Sequence, residues 1–267
     1  MSTRRRLDAE LVRRGLARSR EHAAELVTAG RVVVAGQSAG KTATQVTADD
    51  PIAVQDAGGD PEYASRGGRK LAGALAAFPG LSVAGRRCLD AGASTGGFTD
   101  VLLRAGAEHV VAVDVGYGQL AWSLRTDPRV TVLDRVNVRS LDPALVAPPP
   151  AVVVADLSFI SLTLVLPALV ACAAPDADFA LMVKPQFEVG KGRVGAGGVV
   201  RDPADRAAAV RAVCDAAASL GLGVRDVTAS PLPGPAGNVE YFVWLRRGAP
   251  LLSDDALRHA IETGPDA

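Results

Sequence analysis

The distribution of apolar residues changes along the chain, and its last two thirds alternate short apolar runs with segments of helical periodicity. This alternation predicts a doubly wound, mostly parallel sheet in an α/β domain. A helix is predicted before the first strand, from Ser65 to about Phe78, and another after it, from Thr99 to Ala105. The predicted strands are Cys88–Ala93, His109–Asp114, Val130–Asp134, Ala151–Asp156, Phe179–Lys184, Val224–Ala229 and Val239–Leu245.

The first part of the chain has a different pattern. Leu7, Leu11 and Val12 repeat at helical spacing before Gly15, and Ser19 is placed to cap a second helix that ends at Gly30. Three short strands are predicted after it, at Val32–Val34, near Thr44–Val46 and at Ile52–Val54. The sequence therefore predicts a small α+β domain over 1–57, a linker over 58–64, the α/β domain over 65–248 and a tail with a short helix over 249–267.

The distribution of charge indicates the kind of partner that the first domain binds. Residues 1–48 carry nine Arg or Lys against four acids, an excess of five positive charges, although the whole chain has 29 basic and 29 acidic residues. A basic module beside a neutral domain is typical of nucleic-acid binding, because phosphates attract it regardless of base sequence. A solvated helix face is the alternative explanation.

Other classes of protein are disfavoured by composition. The three cysteines are widely separated and lie in apolar or helical segments, so neither a disulfide framework nor a metal site is expected. No apolar run approaches the length of about 20 residues needed to span a bilayer, and the amino end does not resemble a signal peptide. We therefore expect a cytoplasmic protein that does not bind membranes.

A glycine-rich turn follows the first strand of the α/β domain and is typical of a nucleoside-binding site. Gly92, Gly96 and Gly97 do not match the Gly-x-Gly-x-x-Gly spacing of a dinucleotide site, and Asp114 ends the next strand, where a carboxylate can bind a ribose. This pattern favours S-adenosylmethionine, with a purely structural turn as the alternative.

The end of the fourth strand indicates the acceptor of the methyl group. Methyltransferases of base amino groups carry two prolines there, whereas this chain reads Asp156-Leu-Ser-Phe159. Methylation at cytosine C5 needs a covalent cysteine, and none is found at a predicted strand end that faces the presumed site. A hydroxyl acceptor is therefore favoured, and a base amino group stays as the alternative.

Four ionisable residues are candidates for the chemistry. Asp156 and Lys184 end adjacent predicted strands, and sites in open α/β sheets lie outside the carboxyl ends of the strands. Glu240, the second residue of the predicted last strand, joins them if that strand is antiparallel. Lys70 lies on the helix before the first strand, and the sequence alone does not fix its direction.

Two resemblances add to this interpretation. The segments Arg6-Leu-Asp-x-x-Leu-Val-x-x-Gly-Leu-Ala-x-Ser-Arg20 and Ala29-Gly-Arg-Val-Val-Val-Ala-Gly36 resemble the S4 RNA-binding domain. The resemblance implies that Arg6, Arg18 and Arg20 face structured RNA, and we expect Arg4 to contact RNA as well.

Nearly the whole chain resembles the TlyA family of ribosomal RNA cytidine-2′-O-methyltransferases, whose catalytic domain is of the FtsJ type. The motifs that carry it are Ser65-Arg-Gly-Gly-Arg-Lys-Leu71, Asp90-Ala-Gly-Ala-Ser-Thr-Gly-Gly-Phe98, Asp134-Arg-Val-Asn-Val-Arg139, Asp156-Leu-Ser-Phe159, Lys184-Pro-Gln-Phe-Glu188 and Gly237-Asn-Val-Glu-Tyr241. The resemblance implies a catalytic tetrad of Lys70, Asp156, Lys184 and Glu240, S-adenosylmethionine as cofactor, and cytidines of 16S and 23S RNA as targets. The cofactor contacts that it implies are Asp90, Gly92, Ala93, Ser94, Thr95, Gly96, Gly97, Phe98, Asp114, Asp156 and Phe159.

Within this tetrad we expect Lys184 to accept the proton of the ribose hydroxyl; the alternative is that it stays charged and stabilises the developing alkoxide. The glycine-rich segment 190–198 is expected to be a lid whose Lys191 and Arg193 contact RNA, with a plain surface connection as the alternative. Two other classes of function are a non-catalytic RNA-binding ribosome factor and a membrane-lytic hemolysin, and the second is disfavoured because the sequence lacks an amphipathic or spanning apolar segment.

Overall fold

The computed structural model describes residues 4–17, 19–47, 50–54 and 63–265, with the side chain of Lys191 left out. The chain divides into two compact units, residues 1–62 and 63–267. The expected RNA contact Arg18 and residues 58–62 of the expected linker lie outside the described residues. In the described ranges, none of the helices is both long and apolar enough to cross a membrane.

The first unit is a small α+β domain around a compact apolar cluster. Leu7 and Leu11 of the first helix pack with Leu26 and Val27 of the second, and Val32 and Val46 of two strands complete the core. Its elements are β1 (Arg5–Arg6), α1 (Leu7–Arg13), α2 (Arg20–Thr28), β2 (Val32–Val34), β3 (Gln37–Ser38), β4 (Gln45–Val46) and β5 (Ile52–Val54).

The two helices begin and end where the sequence predicts, but one strand pairing differs. Ser19 caps α2 by accepting a hydrogen bond from the backbone N–H of His22. Strand β2 pairs with β3 and β5, whereas β4, the expected return strand, pairs with β1. The reason is a two-residue turn at Ala35 and Gly36, whose positive φ angles of 48° and 81° reverse the chain directly after β2.

The second unit is the predicted α/β domain, and the prediction of a mostly parallel seven-stranded sheet is confirmed. The sheet order is β11-β12-β10-β9-β6-β7-β8, and β12 lies antiparallel between β10 and β11. The strands are β6 (Arg87–Ala91), β7 (His109–Asp114), β8 (Val130–Asp134), β9 (Val152–Ala155), β10 (Asp178–Val183), β11 (Leu222–Ala229) and β12 (Tyr241–Arg247). The helices are α3 (Gly67–Ala77), α4 (Gly97–Arg104), α5 (Trp122–Arg125), α6 (Leu162–Cys172), α7 (Pro185–Glu188), α8 (Pro203–Ser219) and α9 (Asp254–Glu262).

Several boundaries differ from the sequence prediction. Helix α4 begins at Gly97 instead of Thr99, and β12 begins at Tyr241, so Glu240 precedes the strand. The predicted tail contains α9, and its Leu257 and Ala260 are buried in the core, so this segment is part of the domain. At the other end, Tyr63 and Ala64, predicted as linker, contact α4: the backbone N–H of Ala64 donates to Asp100, and the Tyr63 ring lies under the guanidinium of Arg104.

The central sheet is covered on both faces, and residue parity decides which face a strand residue points to. Successive side chains of a strand point to opposite faces. In β6, β9, β10 and β12 the odd-numbered residues pack with α6, α8 and α9, and the even-numbered ones pack with α3 and α4. This alternation fixes the position of the candidate active site.

Candidate active site

Three of the four expected catalytic residues share one face of the sheet at one edge. Asp156 and Lys184 directly follow the parallel strands β9 and β10, and Glu240 directly precedes the antiparallel strand β12. All three have even numbers, as do the residues of these strands that pack with α3 and α4. Strand direction and side-chain alternation therefore bring the three groups together under α3.

Lys184 and Asp156 form an ion pair at the strand ends. The Lys184 Nζ lies 2.5 Å from Asp156 Oδ1 and donates a second hydrogen bond of 3.2 Å to Ser158 Oγ. Lys184 keeps an extended backbone, with φ −111° and ψ 101°, so its side chain continues the alternation of β10. Only 10% of the Lys184 side chain is exposed, against 24% for Asp156. The ammonium group is therefore held in place by the carboxylate and screened from bulk water.

Lys70 and Glu240 form a second pair, which is more deeply buried. The Lys70 Nζ donates to Glu240 Oε2 at 2.5 Å, and the two side chains are 6% and 1% exposed. Gly234 makes room for this carboxylate, because a Cβ at that position would lie 2.7 Å from Glu240 Oε1. The structure thus fixes the direction of Lys70, which the sequence left open.

The two pairs differ in their access to substrate. Lys70, Lys184 and Asp156 line a cavity of about 260 Å³, and Ser65, Arg66 and Pro235 form further parts of its wall. Glu240 does not line it, since its carboxylate lies behind Lys70. In this arrangement two ammonium groups and one carboxylate face the cavity, and Glu240 acts on it through Lys70.

The glycine-rich turn joins β6 to α4 and forms another wall of this cavity. Gly92 has φ +90°, and a Cβ there would lie 2.4 Å from the carbonyl oxygen of Asp156. Gly97 allows the start of α3 to approach, because its Cβ would lie 2.8 Å from the backbone nitrogen of Gly68. These glycines are required by close backbone approach as much as by turn geometry.

A second cavity of about 500 Å³ adjoins the first and shares Gly92, Ser94, Asp156 and Ser158 with it. Asp114 lies in its wall, and its carboxylate accepts hydrogen bonds from the backbone N–H groups of Ser94 and Gly116 at 2.8 and 2.7 Å. The remaining wall is mostly apolar, formed by Val115, Val138, Leu157, Phe159, Ile160 and Val165, with the amides of Gln119 and Asn137. An apolar cavity with a few convergent polar groups is the usual form of a small-molecule site.

Two other residues of the expected cofactor set have distinctive environments. Asp90 is fully buried beneath α4 and lines neither cavity; Thr99 Oγ1 donates to its Oδ2 at 2.6 Å. Burial raises the pKa of Asp90 to about 7. Phe159 lines the larger cavity but is 91% exposed and has φ +65°, and its ring lies 5.3 Å from that of Phe187.

Sequence reasoning missed several residues of these walls. Ser158 lies two residues after Asp156 and could have been inferred from its position after β9. Asn137 follows β8 at the same edge of the sheet, which is a comparable signal. Ser65, Arg66, Gln119 and Pro235 come from loops whose direction depends on tertiary packing.

The segment after Lys184 is fixed at both ends. Glu188 accepts hydrogen bonds from Ser161 Oγ at 2.5 Å and from the backbone N–H of Leu162 at 2.8 Å, which caps α6; burial raises the pKa of Glu188. At the far end, Asn238 accepts from Val200 N and donates to the carbonyl oxygen of Gly198. The glycine-rich stretch between these anchors forms two short 3-10 turns.

The expected RNA contacts fall on both units. In the first unit Arg4 is exposed, and Arg6 and Arg20 both bind Asp8, with 46% and 61% of their side chains exposed. In the second unit Arg193 pairs with Asp205 at 3.2 Å, while the side chain of Lys191 lies outside the described part. Among the described residues, no three His, Cys, Asp or Glu side chains are grouped as metal ligands would be.

Comparison with known proteins identifies the family. The FtsJ-like methyltransferase family matches residues 63–247, and the S4 domain matches residues 5–52. The chain is 60% identical to the 16S/23S rRNA (cytidine-2′-O)-methyltransferase TlyA of Mycobacterium tuberculosis, over 99% of this chain and 100% of that protein. It is 37% identical to Hemolysin A of Brachyspira hyodysenteriae, over 88% of this chain and 97% of that protein.

A solved structure agrees with these matches. A hemolysin-named protein from Streptococcus thermophilus has a TM-score of 0.77 and 36% sequence identity, and the match covers 98% of this chain and 96% of that one. Both domains are thus accounted for. The chain belongs to the TlyA family, which joins an S4 domain to an FtsJ-like methyltransferase domain.

Proposed function

We propose that this protein transfers a methyl group from S-adenosylmethionine to the 2′-hydroxyl of a cytidine ribose in ribosomal RNA. The name of the M. tuberculosis relative, at 60% identity over nearly the full chain, supports the substrate and the acceptor atom. The observation that carries the proposal is the cavity that Lys70, Lys184 and Asp156 share at the edge of a methyltransferase sheet. Such a set of groups suits deprotonation of a hydroxyl.

The larger cavity fits S-adenosylmethionine. Its volume of about 500 Å³ lies within the usual range for small-molecule sites, and its apolar wall suits an adenine ring. The carboxylate oxygens of Asp114 each bind one backbone N–H and retain lone pairs for ribose hydroxyls. Gly92, at the junction of the two cavities, carries no side chain to close the passage between them. When bound, S-adenosylmethionine would supply the electrophilic methyl group for the transfer.

The residues of the smaller cavity have distinct roles in the proton transfer. A ribose hydroxyl is a weak nucleophile, so its proton must leave as the oxygen attacks. We assign Lys184 as the group that receives this proton; it does so as the neutral amine, after its ammonium has released a proton to solvent, with Asp156 and Ser158 orienting its Nζ. Lys70 faces the same cavity as a second cation and stabilises negative charge on the oxygen. Glu240 positions Lys70.

Further residues are assigned to the RNA. The exposed ring of Phe159, supported by Phe187, suits stacking on a base that leaves its helix so that the ribose can enter the cavity. Arg4, Arg6 and Arg20 of the S4 domain and Arg193 of the glycine-rich segment suit phosphate contacts. Since ribosomal subunits are the proposed substrate, we assign the protein to the cytoplasm.

Methyl transfer to separated ribosomal subunits tests the reaction. Small and large subunits from cells without this enzyme are incubated with the protein and tritium-labelled S-adenosylmethionine, and the labelled site is mapped by primer extension and alkaline cleavage. A 2′-O-methyl group blocks alkaline cleavage at its position, so a protected cytidine supports the proposal. Label on a base amino group would show that the acceptor is not the ribose hydroxyl. RNA binding without methyl transfer would show that the protein is a non-catalytic binding factor.

The role of Lys184 is tested by Lys184→Arg and Lys184→Ala. Arginine keeps the positive charge but does not give up its proton in proteins, so both variants should lose at least about 100-fold in kcat if Lys184 accepts the proton. Substantial activity in Lys184→Arg alone would instead assign Lys184 a purely electrostatic role. Arg129→Ala, which alters an exposed ion pair with Asp127, is the control and should retain full activity.

A further inference from the structure

One buried carboxylate in the first unit holds two exposed guanidinium groups. Asp8 accepts two hydrogen bonds from Arg6, from Nε at 3.1 Å and from Nη2 at 2.9 Å. Arg20 Nη2 lies 3.3 and 3.2 Å from the two oxygens of the same carboxylate. The Asp8 side chain is only 8% exposed, whereas those of Arg6 and Arg20 are 46% and 61% exposed. The acid is therefore enclosed by the two cations that it orients.

Asp8 itself is firmly placed. It lies in the first turn of α1, and its Oδ1 also accepts the backbone N–H of Ala9 at 2.8 Å. The hydrogen bond from Arg6 is the main reason why the pKa of Asp8 is lowered to about 2, so the group is a carboxylate at any physiological pH. The negative charge that fixes the two guanidinium groups is permanent.

The pair retains donors for a ligand. A guanidinium carries five N–H donors in a rigid plane, and the contacts with Asp8 use only two of those on Arg6. A long exposed side chain normally loses conformational entropy when it binds, and a side chain that is already oriented loses less. Two guanidinium groups fixed on one carboxylate can thus bind phosphate oxygens with little further ordering.

A second buried acid in this unit differs from Asp8. Glu10 binds Arg13 and Arg14, but Arg14 turns toward the fold and donates to the carbonyl oxygens of Thr47 and Asp50. Glu10 and Arg14 thus join α1 to the segment before β5. Arg14 is only 19% exposed, whereas the partners of Asp8 are 46% and 61% exposed. The other two arginines that pair with Glu10, Arg5 and Arg13, are 47% and 48% exposed.

We propose that Asp8 is a positioning residue for RNA binding, which holds Arg6 and Arg20 as a paired clamp for the phosphate backbone. This inference rests on the proposed function for its ligand class, RNA. The inference predicts a change in RNA affinity opposite to the one expected from net charge alone. Removal of a negative charge from a basic surface should strengthen the attraction of phosphates, whereas loss of a positioning carboxylate should weaken binding.

The test compares Asp8→Asn with Glu25→Gln in the full-length protein. Both substitutions raise the net charge by one, but Glu25 is exposed on α2 and makes no side-chain hydrogen bond or ion pair within the described residues. The probe is a fluorescently labelled fragment of ribosomal RNA, with anisotropy measured over a range of salt concentrations. We expect Asp8→Asn to weaken binding about 5- to 10-fold and Glu25→Gln to leave it unchanged or stronger. Equal or tighter binding by Asp8→Asn would overturn the inference.

A double-mutant cycle separates positioning from loss of structure. Because Asp8 holds both Arg6 and Arg20, the loss of RNA affinity in Asp8→Asn combined with Arg20→Ala should be smaller than the sum of the two single losses. Fully additive losses would show that Asp8 acts by another route. Asparagine can still accept the Ala9 N–H, and hydrogen exchange of peptides from residues 4–54 reports whether the domain stays folded.

A variant that preserves the charge provides the test if Asp8→Asn unfolds the domain. Arg6→Lys keeps the charge but cannot make the two-fold contact with Asp8, so it should weaken RNA binding more than Arg13→Lys does; equal binding would contradict the clamp. Methyl transfer is measured in parallel. If no RNA is methylated, the proposed function fails while the order of affinities still decides on Asp8, and a wild-type protein without RNA affinity overturns the inference itself.

Discussion

The buried pair of Lys70 and Glu240 gives a quantitative test of how the active site is built. We consider Lys70→Met, Glu240→Met and the double variant, because methionine approximates the length of both side chains without their charge. Each single variant removes one partner and leaves the other charge in a site where the side chains are 6% and 1% exposed. The double variant removes both charges.

The magnitudes follow from the geometry of the pair. At 2.5 Å, two unit charges attract by about 7 kcal/mol for an effective dielectric constant of about 20, and desolvation of both groups offsets most of this. Loss of one partner leaves the desolvation of the other uncompensated, which typically costs about 3–5 kcal/mol. Replacement of both by apolar groups is often close to neutral, so we expect the double variant within about 2 kcal/mol of wild type.

The assay is urea unfolding at pH 7 followed by tryptophan fluorescence, with methyl transfer to ribosomal subunits measured on the same samples. Both tryptophans, Trp122 and Trp244, lie in the methyltransferase domain, so the signal reports that domain without the S4 domain. The free energy of unfolding should fall strongly in each single variant and recover in the double variant. Methyl transfer should be lost in all three variants. Two of them lack the charge of Lys70, and in Glu240→Met the partner that holds Lys70 at the cavity is missing.

Two results would refute this reasoning. If the double variant loses the sum of the two single effects, the groups do not stabilise each other and the pair is not a coupled unit. If the double variant regains methyl transfer together with stability, Lys70 and Glu240 serve only the fold. An exposed pair supplies the control: removal of Arg129 or Asp127 should change the free energy of unfolding by less than about 1 kcal/mol.

Three further predictions concern neighbouring residues. Gly92→Ala should reduce methyl transfer at least about 100-fold, because its Cβ would displace the Asp156 backbone; Gly85→Ala, with a similar φ of +68° and open space around it, should cost only about 1 kcal/mol of stability. Burial raises the pKa of Asp90 to about 7, so the free energy of unfolding of the wild type should fall as the pH rises from about 4 to 7. The fall should be at most about 4 kcal/mol relative to Asp90→Asn, and equal pH profiles of the two proteins in urea unfolding would contradict this. Glu188→Ala removes a cap of α6, which should cost about 1 kcal/mol in urea unfolding. It also releases the segment that follows Lys184, so it should lower kcat more than it raises KM, while Glu188→Gln retains part of both; an unchanged kcat in Glu188→Ala would show that this anchor does not position Lys184.

Much of the active site follows from local sequence pattern. Apolar runs that alternate with helices predict the parallel sheet, and the period of two in each strand predicts that Asp156, Lys184 and Glu240 point to the same face. The antiparallel direction of β12, which was the condition for placing Glu240 at this edge, is present in the structure. These features depend on neighbouring residues and on strand order, so they can be predicted from a single sequence.

Contacts between distant segments were not accessible in the same way. Lys70 lies 170 positions before Glu240, and its direction depends on how the apolar residues Leu71 and Ala74 of α3 pack on the even-numbered face of the sheet. The cap that Glu188 makes on α6 joins two loops, and the cavity residues Ser65 and Pro235 depend on loop paths. The sequence pattern gives no periodic signal for such contacts.

The S4 domain shows the same division on a smaller scale. The sequence by itself determined two helices, an excess of positive charge and the position of Ser19 as a cap, because these depend on spacing and composition. Only the tertiary structure decided that Arg6 and Arg20 share Asp8, since α1 and α2 must pack before residues 12 positions apart can meet. Side-chain pairs across elements are set by packing, whereas the elements and the faces of their residues are set by the local sequence.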